Sequence, residues 1–251
     1  MKLLRLLLPA LAILATGCLK LEETFTIRPD GSADLDLVYS ISEPAVTQMK
    51  ALLKVRDQMA ALSGDTTVSP DPYSKIFLNP AEEQLRRELK KYEKFGLSIE
   101  RLKVDTRDGW RQVQVRVRCK NLADLAKTDI FRTYGFSLTK DPEANYVLFR
   151  DRESAGDAST DVPDPETLKL MTPVLDGFKI VLKINTPGRI IKANSHLRST
   201  HGATWEYDFN RNPNAINQLQ DQQFNVVFQG RTAEGKSLSL PEISQKPPAR
   251  P

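Results

Sequence analysis

Apolar and polar residues alternate along two stretches in the first half of the chain, and each predicts a β-hairpin. In the first hairpin, a strand at 23–28 precedes a turn at 28–32 and a strand at 33–41. In the second, strands at 97–105 and 110–119 flank Arg107-Asp108-Gly109. The return strand of the second hairpin places Val113, Val115, Val117 and Cys119 on one face.

Apolar spacing of three and four residues predicts helices between these hairpins. A first helix follows Ser42 and Pro44 and ends at Gly64, and a second runs from Pro80 to Gly96. A loop at 63–79 separates them. Shorter helices are predicted at 121–127, 165–175 and 213–220, and residues 151–164 are predicted to form a loop.

The second half of the chain is predicted to add more strands. They fall at 134–140, 145–150, 178–184, 189–194, 203–209 and 223–230. Strands in hairpins with helices between them predict an α+β fold, with a mostly antiparallel sheet, packed helices and a helical insertion at 43–95. We expect one domain over 18–240, followed by a disordered proline-rich tail at 241–251.

The first residues have the pattern of an export signal. Lys2 and Arg5 precede an uncharged apolar run that ends in Gly17-Cys18. The run is shorter than the ~20 residues that span a bilayer, which favours a signal peptide over a membrane helix. The junction resembles the lipobox of bacterial lipoproteins, which implies removal of 1–17 and lipidation of Cys18. An ordinary signal peptide or a buried helix is the alternative.

Lipidation predicts where the protein is found. Several acyl chains on Cys18 make an effectively permanent membrane anchor. The body is then an extracytoplasmic domain held at the membrane, on the periplasmic side of the outer membrane if the cell is Gram-negative.

Charge and chemistry exclude several classes of function. The formal net charge is +4, with basic and acidic residues interleaved, which does not indicate a nucleic-acid-binding face. Two cysteines cannot form a disulfide scaffold or a four-thiolate metal site. His196 and His201 have no ligand-like neighbours in the sequence, and Cys119 falls on a predicted core face. We therefore predict no catalytic residues, metal or cofactor, and a protein that is not an enzyme.

Two groups of residues are candidates for binding. One is an apolar set that lines either a ligand cavity or a closed core: Phe178, Ile180, Leu182, Trp205 and Tyr207. The other is a surface for a partner or an anionic lipid headgroup: Tyr73, Phe77, Arg86, Arg87, Lys90 and Lys91. In the second group, the alternative is that the 63–79 loop folds back onto the body.

A family resemblance rests on short motifs spread along the chain. They are Cys18, Asp30-Gly31-Ser32, Pro187-Gly188-Arg189-Ile190, Asn194, Gly202 and Trp205. With these motifs the sequence resembles the LppM-like family of bacterial lipoproteins. The resemblance implies a lipid-anchored extracytoplasmic domain without known catalytic residues, and some members are linked to envelope glycolipids. The sequence departs from the family in its helical insertion at 43–95 and in lacking the C-terminal hydrophobic segment of some members.

The prediction for function is a lipid-anchored binding module. It is expected to hold an envelope lipid, a glycolipid or a partner protein. The alternative is a structural or assembly lipoprotein that docks a partner through the 43–95 helical region.

Overall fold

The computed structural model describes six stretches of the chain. They are residues 19–48, 81–128, 136–150, 177–212, 214–220 and 223–243, together with the isolated positions Lys50, Ala51, Lys54 and Gln58. Cys18, Tyr73 and Phe77 lie outside these residues, as do the predicted 63–79 loop and the predicted 165–175 helix.

Eleven strands form two sheets within this described part of the chain. Seven strands make the larger sheet in the order β3-β4-β2-β1-β7-β10-β9, and four make the smaller sheet in the order β5-β6-β11-β8. Among the described strands, β1 and β7 are the one parallel pair. The strands are β1 Leu19–Ile27, β2 Ala33–Ser42, β3 Leu97–Arg107, β4 Trp110–Cys119, β5 Phe136–Lys140, β6 Tyr146–Arg150, β7 Lys179–Asn185, β8 Ile190–Ala193, β9 Leu197–Arg198, β10 Gly202–Asp208 and β11 Phe224–Phe228.

The described helices are short. They are α1 Glu82–Lys90, which continues into a 3-10 turn at Glu93–Phe95, α2 Leu122–Leu125 and α3 Ala215–Gln220. Residues 43–48 are also helical, and the Ser42 hydroxyl accepts a hydrogen bond from Ala45 N at 3.4 Å. Gly96 ends the 3-10 turn with a φ of 75°. No helix in the described residues is long and apolar enough to cross a membrane.

The predicted α+β class is wrong, because the fold is mostly β. Most of the predicted strands are present, but they assemble into two sheets that pack on each other. The larger core cluster joins inward residues of β1, β7 and β10 to those of β5, β6, β8 and β11. This is sheet-on-sheet packing, in which the second cover over the core is a sheet where helices had been expected.

The helical residues 43–48 and α1 cover the other end of the larger sheet, while α2 and α3 add Leu122 and Ala215 to the larger core cluster. At that other end, Ala45, Val46 and Leu85 pack on Tyr39, Ile41 and Val113. One apolar face of the larger sheet therefore has two covers: the helical residues at the β3-β4-β2 end, and the smaller sheet at the β1-β7-β10 end.

The ordered chain reaches further than the sequence predicted. Ile243 pairs with Leu138 of β5 through two hydrogen bonds of 2.7 and 2.8 Å, and it is buried. Ile243, which falls within the tail predicted at 241–251, thus pairs with the smaller sheet and belongs to its core.

The Pro187-Gly188 turn needs glycine because the backbone that follows β11 lies very close to the Gly188 Cα. The φ of Gly188 is not positive, so its backbone conformation does not by itself require glycine. A Cβ at this position would lie 2.0 Å from the Gln229 carbonyl oxygen and 3.0 Å from that of Arg231. The turn thereby brings β8 against the end of β11, with Gln229 N donating to Arg189 O at 2.9 Å.

Gly188→Ala should destabilise the protein by about 3 kcal/mol, because two backbone segments must separate to admit one methyl group. Gly109→Ala is the matched control. Nothing lies near its Cβ, and only its φ of 72° is unfavourable, at roughly 1 kcal/mol. Urea unfolding of both variants measures the difference. Equal midpoints for the two variants would contradict the steric explanation.

Candidate functional site

The middle of the apolar face is less buried than its two ends. Five residues of β1, β2 and β7 form this region, which we call the central strip: Leu21, Glu23, Leu37, Ile180 and Leu182. Glu23 is paired with Leu37 on one side and with Leu182 on the other, and Leu21 is paired with Ile180. All five side chains are half-buried, whereas the residues that define each core cluster are buried.

The central strip lies where the two covers meet. Leu21 and Leu37 pack against the cluster beneath the helices, and Ile180 and Leu182 pack against the cluster beneath the smaller sheet. Neither cover buries the strip fully. It therefore offers apolar surface with partial solvent access, which is the physical requirement for holding an acyl chain or another apolar group.

Glu23 places a carboxyl at the centre of this apolar surface. Its position alternates with Leu21 and Phe25, so its side chain is on the apolar face of β1. Burial raises the pKa of Glu23 above its usual range, and the charge of Arg150 opposes that shift in pKa. The raised pKa means that desolvation outweighs the attraction of the arginine.

Arg150 belongs to the other sheet and faces the same interior. It continues the inward row of Tyr146 and Leu148 on β6, and it is paired with Phe136 on β5 and Phe224 on β11. The guanidinium carbon lies 5.9 Å from the Phe136 ring centre and 5.4 Å from that of Phe224. The larger sheet thus contributes a carboxyl, and the smaller sheet a guanidinium, at inward positions.

The five residues predicted to line an apolar cavity fall into two different environments. Trp205 is fully buried, packs edge-on against Phe224 at 4.7 Å, and donates a hydrogen bond from Nε1 to the Asn194 carbonyl at 3.2 Å. Tyr207 and Phe178 are buried as well. These three residues have the environment of a close-packed core. Only Ile180 and Leu182 of the predicted set belong to the half-buried central strip.

The predicted basic surface on α1 is largely neutralised by its own helix. Arg86 pairs with Glu82 at 3.0 Å, Arg87 approaches Glu83 at 3.9 Å, and Lys91 pairs with Glu88. Because each of these three cations has an acidic neighbour about one turn away, they do not favour an anionic ligand. Lys90, the fourth cation of the predicted surface, is exposed and has no ion pair among the described residues.

The other candidate groups have structural environments. Cys119 is buried, and burial raises its thiol pKa, as expected for an unreactive side chain. His196 accepts a hydrogen bond from Glu206 N at 3.0 Å, and His201 Nδ1 lies 3.2 Å from Thr186 O. Within the described residues, no three His, Cys, Asp or Glu side chains are placed to hold a metal ion.

Sequence analysis missed Glu23 and Arg150 as members of a site. The signal for Glu23 is present, because the alternation of Phe25 and Ile27 extends back through Leu21 to Leu19 and puts residue 23 on the apolar face. For Arg150, the same extension runs from Tyr146 and Leu148. What the sequence does not contain is the stacking of the two sheets that turns both residues toward one interior.

Comparison with known proteins adds little to this geometry. No protein-family model and no curated protein matches the sequence. Among solved structures, the chain is similar to the folded domain of Mycobacterium tuberculosis LppM, determined by NMR, with a TM-score of 0.38 and 12% sequence identity over 88% of this chain and 95% of that chain. At this level of similarity, functional conclusions rest on the contacts described above.

Glu23→Gln should stabilise the protein at neutral pH. A carboxyl whose folded pKa is raised opposes folding once it ionises, so this penalty is absent below the ordinary pKa of 4.5 and grows as pH rises toward the folded pKa. Each unit of the raised pKa corresponds to about 1.4 kcal/mol. Urea unfolding of both proteins across this pH range measures the difference in stability.

Glu22→Gln is the control for this comparison. Glu22 is the adjacent residue on β1, lies on the opposite face and pairs with Lys183. The difference in stability between Glu22→Gln and the parent should not increase with pH as it does for Glu23→Gln. Parallel pH profiles for Glu23→Gln and the parent would show that Glu23 is not desolvated.

Proposed function

We propose that this protein is a lipid-anchored extracytoplasmic domain that binds an amphipathic envelope molecule along the central strip. The observation that carries the proposal is the half-buried apolar strip with the Glu23 carboxyl at its centre. The apolar residues supply a surface for an acyl chain, and the ionisable residues supply a place for a polar headgroup. Lipid and glycolipid ligands have both parts.

The apolar part of the proposed site is a surface of aliphatic side chains. Leu21, Leu37, Ile180 and Leu182 are aliphatic, lie on three neighbouring strands and keep some accessible surface. Strands about 4.8 Å apart make this a surface roughly 10 Å wide across the strands, enough for one or two acyl chains. Covering such a surface with an apolar ligand stabilises the complex by about 25 cal/mol per Å² removed from water.

The polar part favours a headgroup with hydroxyl groups. A carboxyl accepts hydrogen bonds, and a guanidinium donates them in a fixed planar arrangement. Glu23 and Arg150 come from opposite sheets and interact electrostatically, so a hydroxyl-bearing headgroup between them meets an acceptor and donors. The aromatic rings of Phe136 and Phe224 hold the guanidinium in place.

Binding is tested with a pair of variants that are adjacent in sequence. Leu37→Trp enlarges a residue of the central strip, whereas Val38→Trp enlarges an exposed residue on the opposite face of the same strand. Native mass spectrometry of the 19–251 form, purified without its anchor, measures co-purifying lipid. We expect the parent and Val38→Trp to carry lipid. Leu37→Trp should carry at least tenfold less lipid, which corresponds to a loss of about 1.4 kcal/mol in binding free energy.

The result has a clear contrary outcome. If the folded parent carries no lipid, the binding module is the wrong proposal. If Leu37→Trp retains its lipid while folded, the ligand lies elsewhere.

Anchoring is tested at Cys18. The charged start, the short apolar run and Gly17-Cys18 support cleavage and acylation at this residue. Cys18→Ser should abolish incorporation of radiolabelled palmitate and leave an unprocessed precursor of higher mass. Cys119→Ser, which changes the buried thiol, is the control and should keep its label. Palmitate labelling that persists in Cys18→Ser would contradict the anchor.

A further inference from the structure

We infer that the end of the larger sheet where β1 begins is a membrane-contact surface for anionic lipid headgroups. This inference rests on the proposed anchor at Cys18. It concerns a surface distinct from the central strip. Four residues at this end define the contact surface: Lys20, Arg107, Trp110 and Lys179.

The anchor and the sheet are directly connected. β1 begins at Leu19, the residue that follows Cys18, so the chain leaves no linker between the lipid and the first paired residue. Consecutive Cα atoms are about 3.8 Å apart. An acyl chain on Cys18 therefore holds this end of the sheet within the headgroup layer, whereas a tether of many residues would leave the orientation free.

Strand register brings the four residues of the contact surface together. Lys20 is paired with Lys179 on β7, and Arg107 is paired with Trp110 across β3 and β4. Ser40 and Ser42 of β2 lie between Lys20 and Trp110, and their small side chains let the lysine reach over the indole. The Lys20 ammonium lies 5.9 Å from the Trp110 ring centre. With strands about 4.8 Å apart, all four residues fall within roughly 15 Å of Leu19.

The side chains of this surface match a lipid interface. Trp110 is half-buried, and indole rings favour the boundary between headgroups and acyl chains. Lys20 and Arg107 are exposed and form no ion pair with any other described residue. Both remain available for phosphate groups. Lys179 forms an ion pair with Glu206, with 2.7 Å between the ammonium nitrogen and the carboxylate oxygen.

Charges of both signs surround the contact surface, and most of the acids are held in ion pairs. Arg111 follows Trp110 but lies on the other face of β4, paired with Ile41, where its charge acts on Tyr39. The acids at this end are Glu43, Asp105, Asp108, Glu206 and Asp208. Asp105 pairs with Lys103 at 3.3 Å, Glu206 with Lys179 and Asp208 with Arg211 at 3.4 Å, so Glu43 and Asp108 are the acids without an ion pair among the described residues. Each cation at an anionic membrane surface strengthens binding by a factor of about five.

The test uses the full lipidated chain reconstituted into vesicles. The sequence has two tryptophans, and Trp205 is fully buried, so quenching by a nitroxide on the lipid headgroup reports on Trp110. Trp110→Phe, which leaves only Trp205, sets the background. We expect strong quenching of Trp110 in vesicles of phosphatidylcholine with phosphatidylglycerol, and weaker quenching in phosphatidylcholine alone.

Charge reversal isolates the electrostatic part. Lys20→Glu/Arg107→Glu should lose most of the quenching in anionic vesicles. Lys94→Glu/Lys120→Glu makes the same change in charge at the opposite end of β3 and β4, roughly 30 Å away, and should retain it. Equal quenching in the parent and in Lys20→Glu/Arg107→Glu would overturn the headgroup contact.

Failure of the anchor is distinguished by flotation. A lipidated protein that floats with vesicles while Trp110 remains unquenched keeps the anchor and overturns the contact surface. A protein that does not float with vesicles overturns both.

Discussion

The larger sheet depends on β1 pairing with two strands that come from distant parts of the chain. Its antiparallel partner β2 follows at once, through a tight turn at 28–32, whereas its parallel partner β7 begins at Lys179. Without the parallel pairing, β3-β4-β2-β1 and β7-β10-β9 would be separate sheets with open edges. Pairing two strands so far apart in the sequence has an unfavourable loop-closure entropy. Packing of the apolar face must therefore stabilise the β1–β7 pair.

The central strip follows from this join. A seven-stranded sheet presents a wider apolar face than either cover spans, and the helical cover and the smaller sheet approach it from opposite ends. The place where they meet falls on β1 and its two neighbours. Leu37, Glu23 and Leu182 occupy one row across that place. Partial exposure of the strip is therefore a property of the topology.

Local patterns in the sequence were sufficient for the strands but not for their assembly. Alternation located both hairpins and most later strands to within a few residues, because the period of two is a local signal. The sequence has no local mark for the β1–β7 pairing or for the smaller sheet as a cover, so the predicted class kept helices in that role. Gly188 shows the same limit, since the Gln229 carbonyl that excludes a side chain comes from β11's far end. The inward position of Glu23 follows from the alternation on β1. That Arg150 faces the same interior could be seen only from the packing of the two sheets.

In the proposed site, Glu23 is the residue at which folding stability and ligand binding are expected to favour different side chains. The opposite face of the larger sheet is crossed by ion pairs such as Glu22 with Lys183 and Asp36 with Arg116, which are partly exposed and contribute little to stability. Folding therefore depends on burying the apolar face, and a leucine at position 23 would continue that face at no desolvation cost. A carboxyl there breaks the pattern that the flanking residues follow, and such breaks concentrate at functional sites. The same substitution that should stabilise the fold, Glu23→Gln, should thus weaken the headgroup side of the site, and this opposition is what a purely structural role for Glu23 would not produce.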